Sequence, residues 1–281
     1  WFRQHTPKAA RGPQSLAVAI PGLPINVGQI DRWLGTENGL IALDPAEAAR
    51  WVHLLDGRDV GGRNLSVQVD LKPGEALPRV GRAQRSRAAT RNRQCWLPYT
   101  DEEARYSATP VAIARQHAAL FSGLHVVVDP HCGAGADSIA MARSGLRVLA
   151  SDISARRLRL AQQNAEHFGV AKRIEFCVGN ALTVANEVAQ NHPSAGLFLD
   201  PPWGGLDWKQ ADPQLANGLS TLGAFVHDTS YSKIVLKLPR TFNLDLLPDF
   251  PRRWNVSLGL DVEMREPVER LKTLVAVFDR D

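Results

Sequence analysis

The stretch Val128-Asp129-Pro-His-Cys-Gly133-Ala-Gly135-Ala-Asp137-Ser138 places two glycines between an apolar run and a helix-forming segment. Residues 126–128, which lead into this stretch, are all valine and predict a buried strand. Residues 138–143 predict the start of a helix. Glycine in such a loop permits a positive φ and lets a ligand approach the bare backbone, although an ordinary tight turn would also explain it.

Apolar strands and helices alternate on both sides of this loop. The apolar pattern predicts a helix over 156–168 and further strands over 147–150, 174–178, 196–199, 233–238 and 274–278. Such alternation is typical of a parallel sheet that is covered by helices on both faces. We therefore expect an α/β, Rossmann-like fold with its ligand at the carboxyl ends of the strands.

The composition excludes several classes of protein. The chain has 281 residues, of which 44% are hydrophobic and 22% are charged, so a disordered, collagen-like or coiled-coil protein is excluded. Its apolar runs are far shorter than the roughly 18 residues that a membrane helix needs, and we expect no membrane partner. Cys95, Cys132 and Cys177 have no paired spacing, which predicts no disulfide framework, no structural metal and a reducing compartment.

An arginine-rich segment separates two parts of the chain. It follows Lys72, Pro73 and Gly74 and contains no acidic residue between its arginines, which are Arg79, Arg82, Arg85, Arg87, Arg91 and Arg93. The segment is either a solvated linker or a strip that faces a polyanion. Before it, strands are expected over 16–20, 40–43 and 65–69, with helices near Ile30 and over 45–55, in a split βαβ arrangement.

The run from Asp44 to Val69 resembles the second half of an RNA-recognition motif, in which a helix is followed by a glycine turn and a strand of the form Gly-Arg-x-Leu-x-Val. The resemblance covers residues 15–71 and implies a small α+β, ferredoxin-like domain. That family stacks bases on aromatic side chains of two strands, whereas 17–21 and 39–43 contain no aromatic residue. An RNA-binding module and a protein-binding module therefore both stay open.

Acidic residues around the glycine loop indicate which cofactor it binds. Asp152 ends the next strand, where a carboxylate can accept both hydroxyls of an adenosine ribose. Asp129 and Asp137 bracket the loop, and Ser138 stands where a dinucleotide-binding loop has its third glycine. Carboxylates repel a pyrophosphate but attract the ammonium and sulfonium of S-adenosylmethionine. The expected cofactor is therefore S-adenosylmethionine rather than NAD.

A second motif, Leu197-Phe-Leu-Asp200-Pro201-Pro202-Trp203-Gly204-Gly205, follows an apolar strand. An exocyclic amino nitrogen is a poor nucleophile, so an enzyme that methylates it must hold its hydrogens on acceptors and its lone pair in line with the methyl group. The Asp200 carboxylate and the Pro201 carbonyl are suitable acceptors, and Trp203 can stack on the base. The alternative is a surface turn with a buried aromatic side chain.

Residues 96–281 resemble the RNA cap guanine-N2 methyltransferases, the trimethylguanosine synthase group. The matching segments are Tyr106-Ser-Ala-Thr-Pro110, Asp129-Pro-His-Cys-Gly-Ala-Gly135, Leu160-Ala-Gln-Gln-Asn-Ala-Glu166, Asp200-Pro-Pro-Trp-Gly-Gly205, Leu238-Pro-Arg240 and Leu271-Lys-Thr-Leu274. The resemblance implies methyl transfer from S-adenosylmethionine to N2 of a 7-methylguanosine cap, on small nuclear or nucleolar RNA and preferably in the nucleus. The chain would then comprise an RNA-recognition-motif-like domain over 13–72, a linker over 73–95 and a methyltransferase domain over 96–281. The N-terminal domain could also bind a protein partner.

The resemblance also implies roles for individual residues. The expected cofactor-binding residues are Asp129, Gly133, Gly135, Asp152 and Asn180, and the expected catalytic residues are Asp200, Pro201 and Trp203. Trp203, Ser107, Thr109 and Lys237 are expected to bind substrate. For three of these a plainer interpretation stays open, because Lys237 could be a solvated strand end and Ser107 and Thr109 could cap the helix that begins near Pro110.

Two departures from the family pattern keep alternative functions open. Asp200 stands where many members have serine, and His131 replaces an aromatic residue. A carboxylate at position 200 would equally suit an enzyme that methylates an amino group of an internal base in tRNA, rRNA or DNA. A third interpretation is an RNA-binding protein whose methyltransferase domain is inactive.

Overall fold

The computed structural model describes residues 16–19, 40–43, 45–60, 63–64, 68–70, 76, 95–202, 230–242, 254–265 and 268–280. The chain divides into two compact units. The first comprises residues 1–84, 238–247 and 257–274, and the second comprises 85–237, 248–256 and 275–281. The sequence-based division had placed 238–247 and 257–274 with the catalytic domain. The predicted helix near Ile30 and the arginine-rich segment lie outside the described residues.

The described part of the first unit contains a three-stranded antiparallel sheet. The elements in this part of the chain are β1 (Leu16–Ala19), β2 (Leu40–Leu43), α1 (Pro45–Leu55), β3 (Asp59–Val60), β4 (Arg63–Asn64) and β5 (Gln68–Asp70). Strand β1 lies between β2 and β5, with Val18 opposite Ile41 and Val69. Helix α1 buries Ala49, Leu54 and Leu55. The resemblance to an RNA-recognition motif stays a prediction.

The chain from residue 95 onward follows the alternating pattern of helices and strands that the sequence predicts. The elements that follow in chain order are α2 (Glu102–Ser107), α3 (Val111–Leu120), β6 (Val126–Asp129), α4 (Ala136–Arg143), β7 (Arg147–Asp152), α5 (Ala155–His167), β8 (Ile174–Val178), α6 (Ala181–Asn191), β9 (Gly196–Leu199), β10 (Lys233–Pro239), β11 (Trp254–Arg265) and β12 (Val268–Arg280). A 3-10 turn over Ala171–Arg173 precedes β8.

These strands form a seven-stranded sheet in the order β11-β12-β10-β9-β6-β7-β8. Strands β10, β9, β6, β7 and β8 pair in parallel, which confirms the predicted α/β, Rossmann-like fold. Strand β9 is buried along its whole length, because apolar side chains on both faces of a parallel sheet are covered. The core that covers the sheet is built from buried side chains that include Phe121, Ile139, Met141, Ala161, Phe198 and Val235.

The topology brings the loops that follow β6, β7, β8 and β9 to one edge of the sheet. Parallel strands place their carboxyl ends together, and the loops after these ends form ligand sites in this fold class. Asp129 and Asp152 are the last residues of β6 and β7, and Asp200 directly follows β9. No helix in the described part of the chain is long and apolar enough to cross a membrane.

Candidate active site

The glycine loop after β6 has the backbone conformation that its two glycines permit. Gly133 has φ 54° and Gly135 has φ 91°, a left-handed region that other residues rarely adopt. A Cβ on Gly135 would lie 3.2 Å from the Cβ of Ala161, whereas a Cβ on Gly133 would meet no atom within 4 Å. Gly135 therefore lets the loop pack closely on α5, and Gly133 faces open space that a ligand can use.

Asp152 supports this loop as well as facing the site. Its Oδ2 accepts a hydrogen bond of 3.0 Å from the Gly133 N–H, and its Oδ1 accepts one of 2.8 Å from the Ser154 N–H. The residue is only 7% exposed. A carboxylate oxygen has two lone pairs, so both oxygens can still accept a ligand hydroxyl. The arrangement fits a ribose whose two hydroxyls donate to Asp152.

Asp129 provides a second acidic group at the loop. Ser138 donates a hydrogen bond of 2.5 Å to its Oδ2, while the buried Oδ1 has no partner. Burial raises the pKa of Asp129 to about 8; the Ser138 hydrogen bond opposes this shift, and the nearby charge of Asp137 adds to it. An unpartnered, buried carboxylate oxygen is costly unless a donor reaches it. A cationic ammonium would be such a donor, and the amino-acid part of S-adenosylmethionine carries one.

Two exposed apolar side chains lie next to Asp152, where the ribose is expected, and neither was predicted from the sequence. Ile153 follows Asp152 and is 77% exposed, and Val178, opposite Asp152 in the β7–β8 register, is 58% exposed. Apolar side chains in this position can cover the faces of a purine ring. Asn180, expected near the adenine, is the N-cap of α6 and accepts from the Leu182 and Thr183 N–H groups. Together with Asp129 and Asp152, these residues fit S-adenosylmethionine.

The substrate side of the expected site centres on Asp200. A chain of hydrogen bonds starts at this residue and runs through four further side chains. Lys237 donates hydrogen bonds of 2.6 Å to Asp200 Oδ2 and 3.0 Å to Thr109 Oγ1. Thr109 donates one of 2.6 Å to Asp137 Oδ2, and His117 Nδ1 lies 2.7 Å from Asp137 Oδ1. We call these five residues the acceptor network.

Most of the acceptor network is buried. Thr109, His117, Asp137 and Lys237 are at most 8% exposed. Burial on its own raises the pKa of Asp137, but the charge and hydrogen bond of His117, the charge of Lys237 and the hydrogen bond of Thr109 together hold that pKa below its usual value. Asp137 is therefore ionised, and its charge is balanced inside the protein.

The network corrects the plainer interpretations of Lys237 and Thr109. Lys237 is 8% exposed, so it is not a solvated strand end. Thr109 does not cap α3, because Pro110 holds the N-cap position without a side-chain hydrogen bond and the Thr109 hydroxyl is committed to Asp137. Ser107 is an exposed residue at the end of α2 and does not cap α3 either. Substrate contacts by these three residues stay predictions.

His131 lies in the same loop, between the two halves of the site. Its Nδ1 is buried without a partner. Burial lowers the pKa of His131, while the charges of Asp200 and Asp152 act in the opposite direction. Burial also raises the pKa of the neighbouring Cys132 thiol, which keeps that cysteine protonated. Trp203, Gly204 and Gly205 lie outside the described residues, so the stacking role of Trp203 stays a prediction.

Comparison with known proteins relates this site to methyltransferases. The sequence profile of the RNA cap guanine-N2 methyltransferase family matches residues 124–278. The ribosomal RNA large subunit methyltransferase K/L of Shewanella pealeana is 42% identical over 67 residues, which are 24% of this chain and 9% of that protein. The release factor glutamine methyltransferase of Chlorobaculum tepidum is 35% identical over 79 residues, 27% of this chain and 27% of that protein. The chain thus matches less than a third of the length of either relative.

The chain is also similar to a solved structure. The match with the possible methylase from Clostridium difficile 630 covers 66% of this chain and 56% of the methylase chain, with 19% sequence identity and a TM-score of 0.48.

Proposed function

The chain belongs to the RNA cap guanine-N2 methyltransferase family, whose profile matches more than half of it, and we propose that it methylates N2 of guanosine in RNA, preferably in a 7-methylguanosine cap. Its cofactor is S-adenosylmethionine, and the family match makes it an S-adenosylmethionine-dependent RNA methyltransferase. The finer assignment, the guanine N2 atom and the cap, rests on the motif around Asp200 together with the family.

The observation that carries the proposal is the orientation of Asp200. Asp200 directly follows β9, and Lys237 donates to its Oδ2, which fixes the carboxylate and leaves Oδ1 available to accept a substrate hydrogen. The next two residues, Pro201 and Pro202, have no N–H group, so these two positions present carbonyl acceptors and no backbone donor. An amino group with two hydrogens suits this pair of acceptors.

S-adenosylmethionine, when bound, supplies a methyl group on a positively charged sulfur. Asp200 Oδ1 and the Pro201 carbonyl would each accept one hydrogen of the amino group, which orients the nitrogen lone pair toward that methyl. Methyl transfer to this nitrogen would release S-adenosylhomocysteine, and the methylated amino group would then lose one proton to solvent. Asp129 and Asp152 would hold the ammonium and the ribose of the cofactor during this step.

The test of this function identifies the methylated atom. The protein is incubated with methyl-labelled S-adenosylmethionine and three RNAs of the same sequence, with a 7-methylguanosine cap, an unmethylated guanosine cap or no cap, and the labelled nucleoside is identified by mass spectrometry. The proposal predicts N2-methylguanosine in the cap, most of it from the 7-methylated RNA. Label only at another atom, such as an adenine N6, would overturn it. An Asp200→Ala variant that still binds the cofactor serves as the inactive control.

Trp203 supplies a second discriminating measurement. A 7-methylguanine ring is positively charged, so stacking on an indole adds a cation–π attraction to base stacking, itself worth about 1–3 kcal/mol. Trp203→Ala should lower kcat/KM on the 7-methylated cap by about ten- to a hundredfold, because each loss of about 1.4 kcal/mol in transition-state stabilisation lowers kcat/KM tenfold. Trp203→Phe keeps a weaker aromatic face and should lose less. Equal kcat/KM values on the two caps, together with an insensitive Trp203→Phe variant, would transfer the proposal to an internal base.

The second candidate is methylation of an amino group on an internal base of rRNA, tRNA or DNA. The carboxylate at position 200, where many members of the family have serine, favours it. The relative from Shewanella pealeana is named for ribosomal RNA. Label in an uncapped RNA as strong as in the capped one would support this candidate. An RNA-binding protein with an inactive domain is the remaining alternative, and calorimetric binding of S-adenosylmethionine would exclude it.

A further inference from the structure

We propose that Lys237 is a positioning residue, which holds the Asp200 carboxylate by one oxygen so that the other faces the acceptor amino group. This inference rests on the proposed function, because it assigns a role to Asp200 in orienting an amino group. Asp200 is the residue that would touch the substrate, and Lys237 acts on the reaction through it.

The contact between the two side chains is short and shielded from solvent. Lys237 Nζ lies 2.6 Å from Asp200 Oδ2, and the two side chains are 11% and 25% exposed. A charged pair in this setting is screened much less than one on the surface. The pinned oxygen also prevents free rotation of the carboxylate, so Oδ1 has a defined direction.

The ammonium of Lys237 is itself held from the opposite side. Thr109 has a single hydroxyl hydrogen, and the 2.6 Å bond to Asp137 Oδ2 commits it to that carboxylate. The Thr109 oxygen therefore accepts from Lys237 at 3.0 Å. His117, which is fully buried, contacts the other oxygen of Asp137. The hydrogen-bond directions are thus fixed from Asp137 to Lys237, whose ammonium has only donors and donates to Asp200.

A precise direction at Asp200 matters for this reaction. The lone pair of an exocyclic amino group is delocalised into the ring, and the group reacts only when its hydrogens are held and its nitrogen points at the methyl. If Lys237 were lost, Asp200 could turn either oxygen in several directions, and fewer bound substrates would be aligned. We therefore expect a loss in kcat while the binding of S-adenosylmethionine is preserved.

Lys233 provides a matched control on the same strand. It lies four residues before Lys237, on the same face of β10, and it is also hydrogen-bonded and ion-paired. Its partners, however, are the Leu120 carbonyl at 2.8 Å and Asp279 at 2.9 Å, neither of which belongs to the acceptor network. Lys233→Met removes the same charge from the same strand and leaves Asp200 untouched.

The decisive experiment combines Lys237→Met with Asp200→Asn. In the single Asp200→Asn variant, Lys237 would attract the amide oxygen and turn the amide NH₂ toward the substrate. The NH₂ donors would then face the donors of the substrate amino group, and no hydrogen bond could form. Removing Lys237 as well would free the amide oxygen to accept. We expect kcat to fall at least tenfold in each single variant and to be higher in the Asp200→Asn/Lys237→Met double variant than in Asp200→Asn alone.

Each variant is first checked for its melting temperature and its affinity for S-adenosylmethionine, and kcat is then measured on the RNA that the wild type methylates. Lys237→Leu, which also lacks a side-chain N–H, replaces Lys237→Met if the latter does not fold, and the same rescue is expected. A double variant no more active than Asp200→Asn, or equal losses for Lys237→Met and Lys233→Met, would overturn the inference. A wild type that methylates no guanine N2 would instead overturn the proposed function.

Discussion

Asp152 combines two tasks, since the carboxylate that faces the ribose position also accepts hydrogen bonds from the Gly133 and Ser154 N–H groups. Asp152→Ala should therefore lower the affinity for S-adenosylmethionine at least tenfold, because charge-assisted hydrogen bonds are worth about 1.5–3 kcal/mol each. Isothermal titration calorimetry measures this directly. Asp101→Ala is the control, because Asp101 also accepts a backbone N–H, from Ala104, but caps α2. A folded Asp152→Ala variant with wild-type affinity would mean that the ribose lies elsewhere.

Asp129 makes cofactor binding depend on pH. Its pKa is raised to about 8, mainly by burial, so the carboxyl is largely neutral at pH 6 and ionised above pH 8. A cationic ammonium binds the ionised form better, and the affinity for S-adenosylmethionine should rise as the pH increases from about 6 to 8. Asp129→Asn cannot ionise and should show weaker binding with a flatter pH profile. An affinity that falls over this range in the wild type would contradict the role of Asp129.

At the scale of secondary structure, the contact between α3 and α4 depends on a buried pair. His117 of α3 is fully buried and lies 2.7 Å from Asp137 of α4. Replacing His117 by leucine leaves the Asp137 charge short of a partner, and breaking such a pair costs about 3–5 kcal/mol in the free energy of unfolding. Urea denaturation at pH 7 measures the loss. Glu175→Ala, which removes the exposed ion pair with Arg147, is the control and should change the free energy by at most about 1 kcal/mol.

The sign of the pH dependence provides a further check on this pair. Its partners hold the pKa of Asp137 below the usual value of an aspartate, so the ionised carboxylate contributes stability at neutral pH, and this stability is lost as the pH falls through that pKa. The difference between wild type and His117→Leu should therefore shrink below about pH 4. A difference that grows in acid would show that Asp137 is not ionised in the folded protein.

The strands of the parallel sheet could be predicted because each contains several apolar residues between polar loops. The predicted strand over 196–199 coincides with β9, and Asp129 and Asp152 end β6 and β7. Strand β11 was missing from the prediction, although Trp254–Arg265 alternates apolar and polar residues over its length. Its alternation is the signal that could have found it.

The acceptor network could not be predicted from sequence. Thr109 and Lys237 are separated by 128 positions, and no local pattern indicates that a strand lysine reaches a threonine before α3. Ile153 and Val178 carried a weaker signal, since each apolar residue follows or ends a strand at the predicted ligand edge. The sequence does not show that both side chains are exposed, because this depends on how β7 and β8 pair in the fold.

At the scale of the whole molecule, every described residue of the site belongs to the second unit. The glycine loop, Asp152, Asp200 and Lys237 all lie between residues 85 and 237. The proposed roles in donor binding and in amino-group orientation therefore all fall to residues of this unit. Recognition of the rest of the RNA by the N-terminal part, including its arginine-rich segment, stays a prediction.

The central claim, that the site methylates the exocyclic amino group of guanine, is tested most directly by removing that group from the substrate. Two RNAs are prepared that are identical except that hypoxanthine replaces the guanine of the 7-methylated cap, which deletes only the N2 amino group. Methyl transfer from labelled S-adenosylmethionine is then measured at equal RNA concentrations. The account predicts labelled N2-methylguanosine from the guanine cap and no label in the hypoxanthine cap. Equal labelling of the two caps would contradict it.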